Sequence, residues 1–175
     1  KEMVLFGEHG AEKWNVSDGA WSKLVELLSP VVQLAKEEGI MLVVETGNNA
    51  MITSCFLGKK LIDDLETTHL KVLWDPANAL YCGENPSKNA LDSMVGGYLG
   101  HVHMKDVEVS IHQATIKCVA LGEGQMAPHL STIAERLNDI DYKGSMSLES
   151  VYRPSGGDFE DGFQASISTF KNLFS

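Results

Sequence analysis

No stretch of this sequence approaches the roughly 20 consecutive apolar residues that a membrane-spanning helix needs. No charged-then-apolar leader opens it either, so the expectation is a soluble, cytoplasmic protein without a membrane partner. Basic residues are scarce and scattered. Against 24 Asp and Glu stand 14 Lys and Arg, a formal charge of −10, and Lys59-Lys60 is the longest basic run. Nucleic-acid binding draws most of its affinity from clustered Lys and Arg, so a nucleic-acid partner is not expected. The three cysteines, Cys55, Cys82 and Cys118, are odd in number and lack metal or redox spacing, which favours reduced thiols. An initiator methionine is missing too. Apolar Met3-Val4-Leu5-Phe6 follows Lys1 almost at once, as if the sequence entered a larger fold partway.

What is present is a repeating order of elements. Met3 to Glu8 reads as a strand, and Ser17-Asp18 can cap the helix that follows. From Trp21 to Glu38 the apolar residues Leu24, Val25, Leu27, Leu28, Val31, Val32, Leu34 and Ala35 fall at helical spacing. Pro30 is expected to kink this helix and Gly39 to stop it. Ile40 to Val44 is a continuous apolar run ending in Glu45, the pattern of a strand buried on both faces. The cycle repeats with a helix within Met51 to Leu65 and a strand Val72-Leu73-Trp74 ending at Asp75. A helix at Pro86 to Met94 and a strand at Tyr98 to Met104 come next. Val107 to Ala120 interrupts the rhythm as a long loop or a hairpin. His129 to Leu137, with Pro128 in its first turn, is helical; Gly144 to Leu148 is a strand ending in Glu149; Gly162 to Phe174 closes as a helix. This alternation predicts βα units around a parallel sheet, in a single domain over residues 1–175.

Glu45, Asp75, His103 and Glu149 occupy equivalent places in the cycle, each at the end of a strand. In a closed parallel sheet those ends share one rim, where residues distant in sequence converge. Three carboxylates and one imidazole form a hard, oxygen-rich set. It suits one divalent ion, Mn²⁺ foremost, with Mg²⁺, Co²⁺ or Zn²⁺ as alternatives. Taken singly, a carboxylate at a strand end is more often a helix cap or a solvated loop residue, and a lone histidine near a strand more often a hydrogen-bonded structural residue. Their joint position at strand ends favours the metal. His101 and Lys105 share the parity of His103. His101 is expected deeper, beside the metal; Lys105 is expected either to stabilise an oxyanion at the rim or to pair with a carboxylate. Gly122-Glu123-Gly124 reads as a turn. Ser155-Gly156-Gly157 offers backbone N–H groups to a phosphate, but Asp158, Glu160 and Asp161 would repel a dianion. Arg153 is the nearby cation and a candidate substrate contact, and an unphosphorylated substrate is favoured.

Five segments together carry a resemblance. Val44-Glu45-Thr46-Gly47-Asn48, Trp74-Asp75-Pro76-Ala77-Asn78, His101-Val102-His103-Met104-Lys105-Asp106, Gly122-Glu123-Gly124 and Ser147-Leu148-Glu149 resemble the successive motifs of the sugar-phosphate isomerase/epimerase family. That family belongs to the xylose-isomerase-like TIM-barrel superfamily, and the match runs from about Trp21 to Phe174. The resemblance implies a (β/α)8 barrel of which this chain supplies roughly strand 4 to helix 8, the N-terminal βα units being absent; a complete barrel takes about 250 residues. It implies that Glu45, Asp75, His103 and Glu149 hold one metal and that Glu45 and Glu149 also carry protons. The expected function is a divalent-metal-dependent isomerase or epimerase of a sugar or sugar-like hydroxy-ketone, working through a metal-stabilised enediolate. The alternatives are a metal-dependent dehydratase of a cyclic polyol ketone (inosose type) and a non-catalytic half-barrel module. Metal-assisted phosphodiester cleavage is disfavoured by the charge. The chain departs from the epimerases at two places: Asn78 stands where they place a substrate-contacting histidine, and Val107-Glu108-Val109 carries no arginine after the His-x-Lys-Asp segment. The partners implied are a small carbohydrate and, because a half-barrel has open edges, a second copy of the chain or the N-terminal half of the same chain.

Overall fold

The fold is given by a computed structural model that describes residues 16–86 and 88–174; the strand expected at Met3 to Glu8 lies outside them. Helix α1 (Asp18–Glu37) begins where Ser17 caps it, the Ala20 N–H donating to Ser17 Oγ at 3.3 Å. Pro30 lies inside α1 without ending it. Termination comes at Gly39, with φ +66°, as the Ile40 N–H returns to the Ala35 carbonyl at 2.8 Å.

Four strands follow the expected places: β1 (Leu42–Glu45), β2 (Leu70–Trp74), β3 (Leu99–Met104) and, after the hairpin strands β4 (Asp106–Ser110) and β5 (Thr115–Val119), β6 (Ser145–Leu148). They form one parallel sheet in the order β1-β2-β3-β6. The helices between are α2 (Cys55–Asp64), α3 (Pro76–Tyr81), α4 (Lys88–Asp92), α5 (Ala127–Asp139) and α6 (Phe159–Phe174). Two segments differ from expectation. The helix expected at Pro86 to Met94 is only the short α4, and α3 was not foreseen. It forms because Asp75 caps it and Pro76 occupies its first turn, where a missing N–H costs nothing. Val107 to Ala120, expected as a loop or a hairpin, is the hairpin: β4 and β5 pair antiparallel as a separate two-stranded sheet, with Ile111–Gln113 as a 3-10 turn at its tip.

The two faces of the sheet differ. Val72, Trp74, Val102 and Met104 are fully buried and pack with Leu61, Leu91, Met94 and Ile133 in one core under the helices. Helix α2 comes so near that a Cβ on Gly58 would lie 2.7 Å from Val72 Cγ2. The opposite face carries Val43, Lys71, Leu73, His101, His103, Ser145 and Ser147; Val43 is 45% exposed.

A β-bulge sets which face each residue of β3 takes. Val72 pairs with Leu99 and Leu73 with His101, so Gly100 has no partner. Strict alternation from buried Leu99 would send His101 and His103 into the core. The extra residue reverses this and puts Val102 and Met104 there instead. Glycine is needed at the bulge, because a Cβ would stand 2.7 Å from Lys71 Cβ and 3.0 Å from Val43 Cγ1.

Among the described residues no helix is long and apolar enough to cross a membrane. The three cysteines form no disulfide.

Glu84 closes the start of α2. Its Oε1 accepts the Cys55 N–H at 2.9 Å, while its buried Oε2 has no hydrogen-bond partner. Burial pushes its carboxyl up to about 7, against the pull of the Cys55 hydrogen bonds. The folded protein therefore holds this proton more tightly than the unfolded chain does. The associated stability is fully present below the unfolded pKa near 4.5 and is lost as pH rises through about 7. Glu84→Gln should remove that dependence. Urea unfolding from pH 4.5 to 8 should show the variant gaining roughly 3 kcal/mol on the wild type across the window. Parallel pH profiles would refute this.

Candidate metal centre

Each potential ligand is brought to the rim by its own strand end. Glu45 is the last residue of β1, Asp75 directly follows β2, His103 lies in the last turn of the β3 alternation, and Glu149 directly follows β6. One ligand atom from each lies within 4.8 Å of all the others. The sequence placed these four together, and the structure brings them together.

The connections among strand ends are specific. The Glu149 N–H donates to the Met104 carbonyl at 2.9 Å, which continues the β3–β6 ladder to the ligand itself. Thr46, fully buried, joins the other side: its Oγ1 accepts the Asp75 N–H at 2.9 Å, and its own N–H donates to the Leu73 carbonyl at 3.0 Å. Asp75 is fully buried and divides its oxygens. Oδ1 accepts the N–H groups of Ala77 and Asn78 at 3.0 and 2.9 Å, where an anion also meets the positive end of α3. Oδ2 is left for the site.

Two buried atoms here make no hydrogen bond, Asp75 Oδ2 and His103 Nδ1. Burying such groups without a partner is costly. Asp75 Oδ2 has an ion contact with Lys105 Nζ at 2.6 Å instead. His103 Nδ1 has Glu45 Oε1 at 3.4 Å and Glu149 Oε2 at 3.6 Å, too far for a good hydrogen bond. An imidazole nitrogen and three carboxylate oxygens turned toward one point fit a divalent cation, and the oxygen-rich donor set fits Mn²⁺ or Mg²⁺ chemistry.

Burial pushes the Asp75 carboxyl up to about 6 even against the pull of Lys105. At Glu149 burial also works upward, but the hydrogen bond and charge of Lys105 outweigh it and hold the carboxyl below its usual value. The Lys105 ammonium is itself raised: burial opposes its charge, and Asp75 and Glu149 overcome that.

The remaining candidates fall in different places. Asn78, 8% exposed, directs its Nδ2 at Glu45 Oε1 over 3.4 Å. Lys105 pairs with the carboxylates, the second of its two expected roles. His101 lies beside His103, ring edge to face at 5.2 Å, with its two nitrogens 2.9 Å from Ser145 Oγ and Ser147 Oγ. Both nitrogens are thus engaged, and it braces the ligand beside it. Arg153 is exposed and has its guanidinium 3.6 Å from the ring centroid of Phe159, the first residue of α6.

Sequence reading missed Asp106. This buried carboxylate accepts the N–H groups of Val107 and Met126 on Oδ1, both at 2.8 Å, and of Gly122 and Gly124 on Oδ2, at 2.9 and 3.0 Å. The Gly122-Glu123-Gly124 turn is therefore wrapped around it. Two glycines flanking one residue were the available signal.

The sequence matches the xylose isomerase-like TIM barrel family over residues 1–173. No curated protein matches it. Among solved structures, a xylose isomerase domain protein from Planctomyces limnophilus superposes with a TM-score of 0.69 at 23% identity, over 90% of this chain and 52% of that one. D-psicose 3-epimerase from Clostridium cellulolyticum H10, solved with D-tagatose, gives 0.68 at 22% identity, over 94% and 60%. The IolI protein, solved with a bound zinc atom, gives 0.71 at 16% identity, over 92% and 59%. The chain thus spans between half and three-fifths of the length of these relatives.

Elemental analysis of protein equilibrated with Mn²⁺ and desalted should find about one ion per site. Asp75→Ala and His103→Ala should each lose most of it. Unchanged content in both would remove these residues from the ligand set.

Proposed function

Because the chain belongs to the xylose isomerase-like TIM-barrel family, we propose that Glu45, Asp75, His103 and Glu149 hold one divalent ion in an enzyme that moves a proton beside the carbonyl of a sugar-like hydroxy-ketone. The observation that carries the reading is the convergence of four ligand atoms within 4.8 Å at the C-terminal ends of adjacent parallel strands. A divalent ion there supplies Lewis-acid polarisation of a substrate carbonyl and its neighbouring hydroxyl.

The residues divide the work by exposure. Asp75 is fully buried and spends Oδ1 on α3, so it binds and cannot meet a substrate carbon. Glu45 and Glu149 have side chains 40% and 33% exposed and can reach one. One removes the carbon-bound proton and the other returns a proton. Asn78 donates a hydrogen bond toward Glu45 and holds it without being able to exchange a proton with it. The D-psicose 3-epimerase among the structural relatives supports a ketose-like substrate.

The active unit we infer is larger than the described sheet. Strands β1 and β6 are its outer members, and β1 presents Val43, 45% exposed, on the inner face. The chain's share of its relatives' length supports completion by an N-terminal half of the same polypeptide or by a second copy.

Glu45→Gln and Glu149→Gln keep a coordinating oxygen and lose the base. With Mn²⁺ in excess and a panel of ketoses in D₂O, wild-type protein should incorporate solvent deuterium at carbon, read by NMR. Each variant should be slower by about 10²–10⁴-fold. A variant exchanging at the wild-type rate would make that glutamate a ligand only.

A further inference from the structure

Lys105 follows β3 on the face of His103, and its side chain is only 10% exposed. Its ammonium stands 2.6 Å from Asp75 Oδ2 and 2.5 Å from Glu149 Oε2. These are the oxygens the two residues turn to the centre. Asp75 Oδ1 is committed to α3, and Glu149 Oε2 is the atom 3.6 Å from His103 Nδ1. The ammonium therefore occupies the same oxygens that a metal would coordinate.

A cation has to be there in the absence of another. Carboxylates crowded within a few ångströms in a partly buried site repel one another and resist ionising together. A divalent ion about 2.1 Å from the same oxygens would stand close to the ammonium, and the repulsion between the two would be large in such surroundings. Lysine suits a yielding role. Its charge is compact, and its four-carbon stem is flexible.

We infer that Lys105 is a built-in counter-cation that keeps the metal-free ligand set assembled and is displaced from Asp75 Oδ2 and Glu149 Oε2 when a divalent ion enters. The inference rests on the metal reading above. It also joins the two roles that the sequence left as alternatives for Lys105. Paired with carboxylates before the metal arrives, the ammonium is released at the rim afterwards, where a substrate oxygen can accept its hydrogen bond.

The test is Mn²⁺ binding by calorimetry, with melting temperatures of metal-free and metal-saturated protein, for wild type, Lys105→Met and Lys105→Arg. Lys105→Met should bind Mn²⁺ at least tenfold more tightly, roughly 1.4 kcal/mol. Its metal-free form should melt lower than wild type and gain more on saturation. Lys105→Arg keeps the charge and should stay within a few-fold of wild type. Equal or weaker binding by a folded Lys105→Met would overturn the inference and make Lys105 a support for the ligands. A second measurement needs no variant: labelling of Lys105 by an amine-reactive acetylating reagent, read by mass spectrometry, should rise in saturating Mn²⁺. Labelling that stays level or falls while Mn²⁺ is bound overturns the inference as well. Should neither wild type nor Lys105→Met bind a divalent ion, the metal reading itself fails. Binding by Lys105→Met alone supports the counter-cation.

Discussion

Asp75 has no exposure and still carries a carboxylate, and the arrangement around it answers that one problem. Its Oδ1 is satisfied by two N–H groups at the start of α3, and its Oδ2 by the charge of Lys105. For Oδ1 to be served, the chain must turn helical immediately after β2, which Pro76 favours. For the backbone N–H of Asp75 to be served, Thr46 must come directly after Glu45, so the end of β1 is drawn to the end of β2. For Oδ2 to be served, β3 must present Lys105 inward. Burying a charge is tolerable only when such partners are all in place. Three strand ends are aligned to a fraction of a turn by the needs of one side chain.

The sheet presents a filled face and an unfilled one. Under the helices, Val72, Trp74, Val102 and Met104 pack into a continuous core with α2, α4 and α5. Helix α1 is less completely covered. Leu27, Val31 and Leu34 lie along one side of it and are 58%, 48% and 57% exposed. Apolar residues at this spacing on a helix flanking an outer strand suit a surface that a neighbouring βα unit would cover. This agrees with a chain that spans little more than half of its structural relatives.

Much of this was legible in the sequence because parallel strands buried by helices read as short apolar runs, and each run here stops at a polar ligand. Glu45 after Leu42-Val43-Val44 and Glu149 after Leu148 are visible in this way, as are the Ser17 cap and the Gly39 stop of α1. Helix α3 escaped notice because six residues are too few for a period to show. Asp106 was hidden for a different reason. Its four partners are backbone N–H groups, which leave no pattern of side chains, and three of them come from positions 122–126. The pairing of His101 with Ser145 and Ser147 depends on β6 lying beside β3, an adjacency that chain order conceals because the hairpin and α5 intervene. Lys105 was placed on the correct face, but alternation alone could not say which acid it would meet.

The bulge at Gly100 makes the length of β3 a matter of parity. Substitutions along a strand are judged one side chain at a time, whereas a gained or lost residue acts on every position that follows. Gly100 itself is the exception: its loss would leave Leu99 and His101 pairing in succession with Val72 and Leu73, so Val102 and Met104 would keep the core and His103 the ligand face. A residue gained or lost between His101 and Lys105 has the opposite effect, because the side chains beyond it change face together and no single replacement repairs that. The count from His101 to Lys105 therefore holds the imidazole and the ammonium on one side of the sheet.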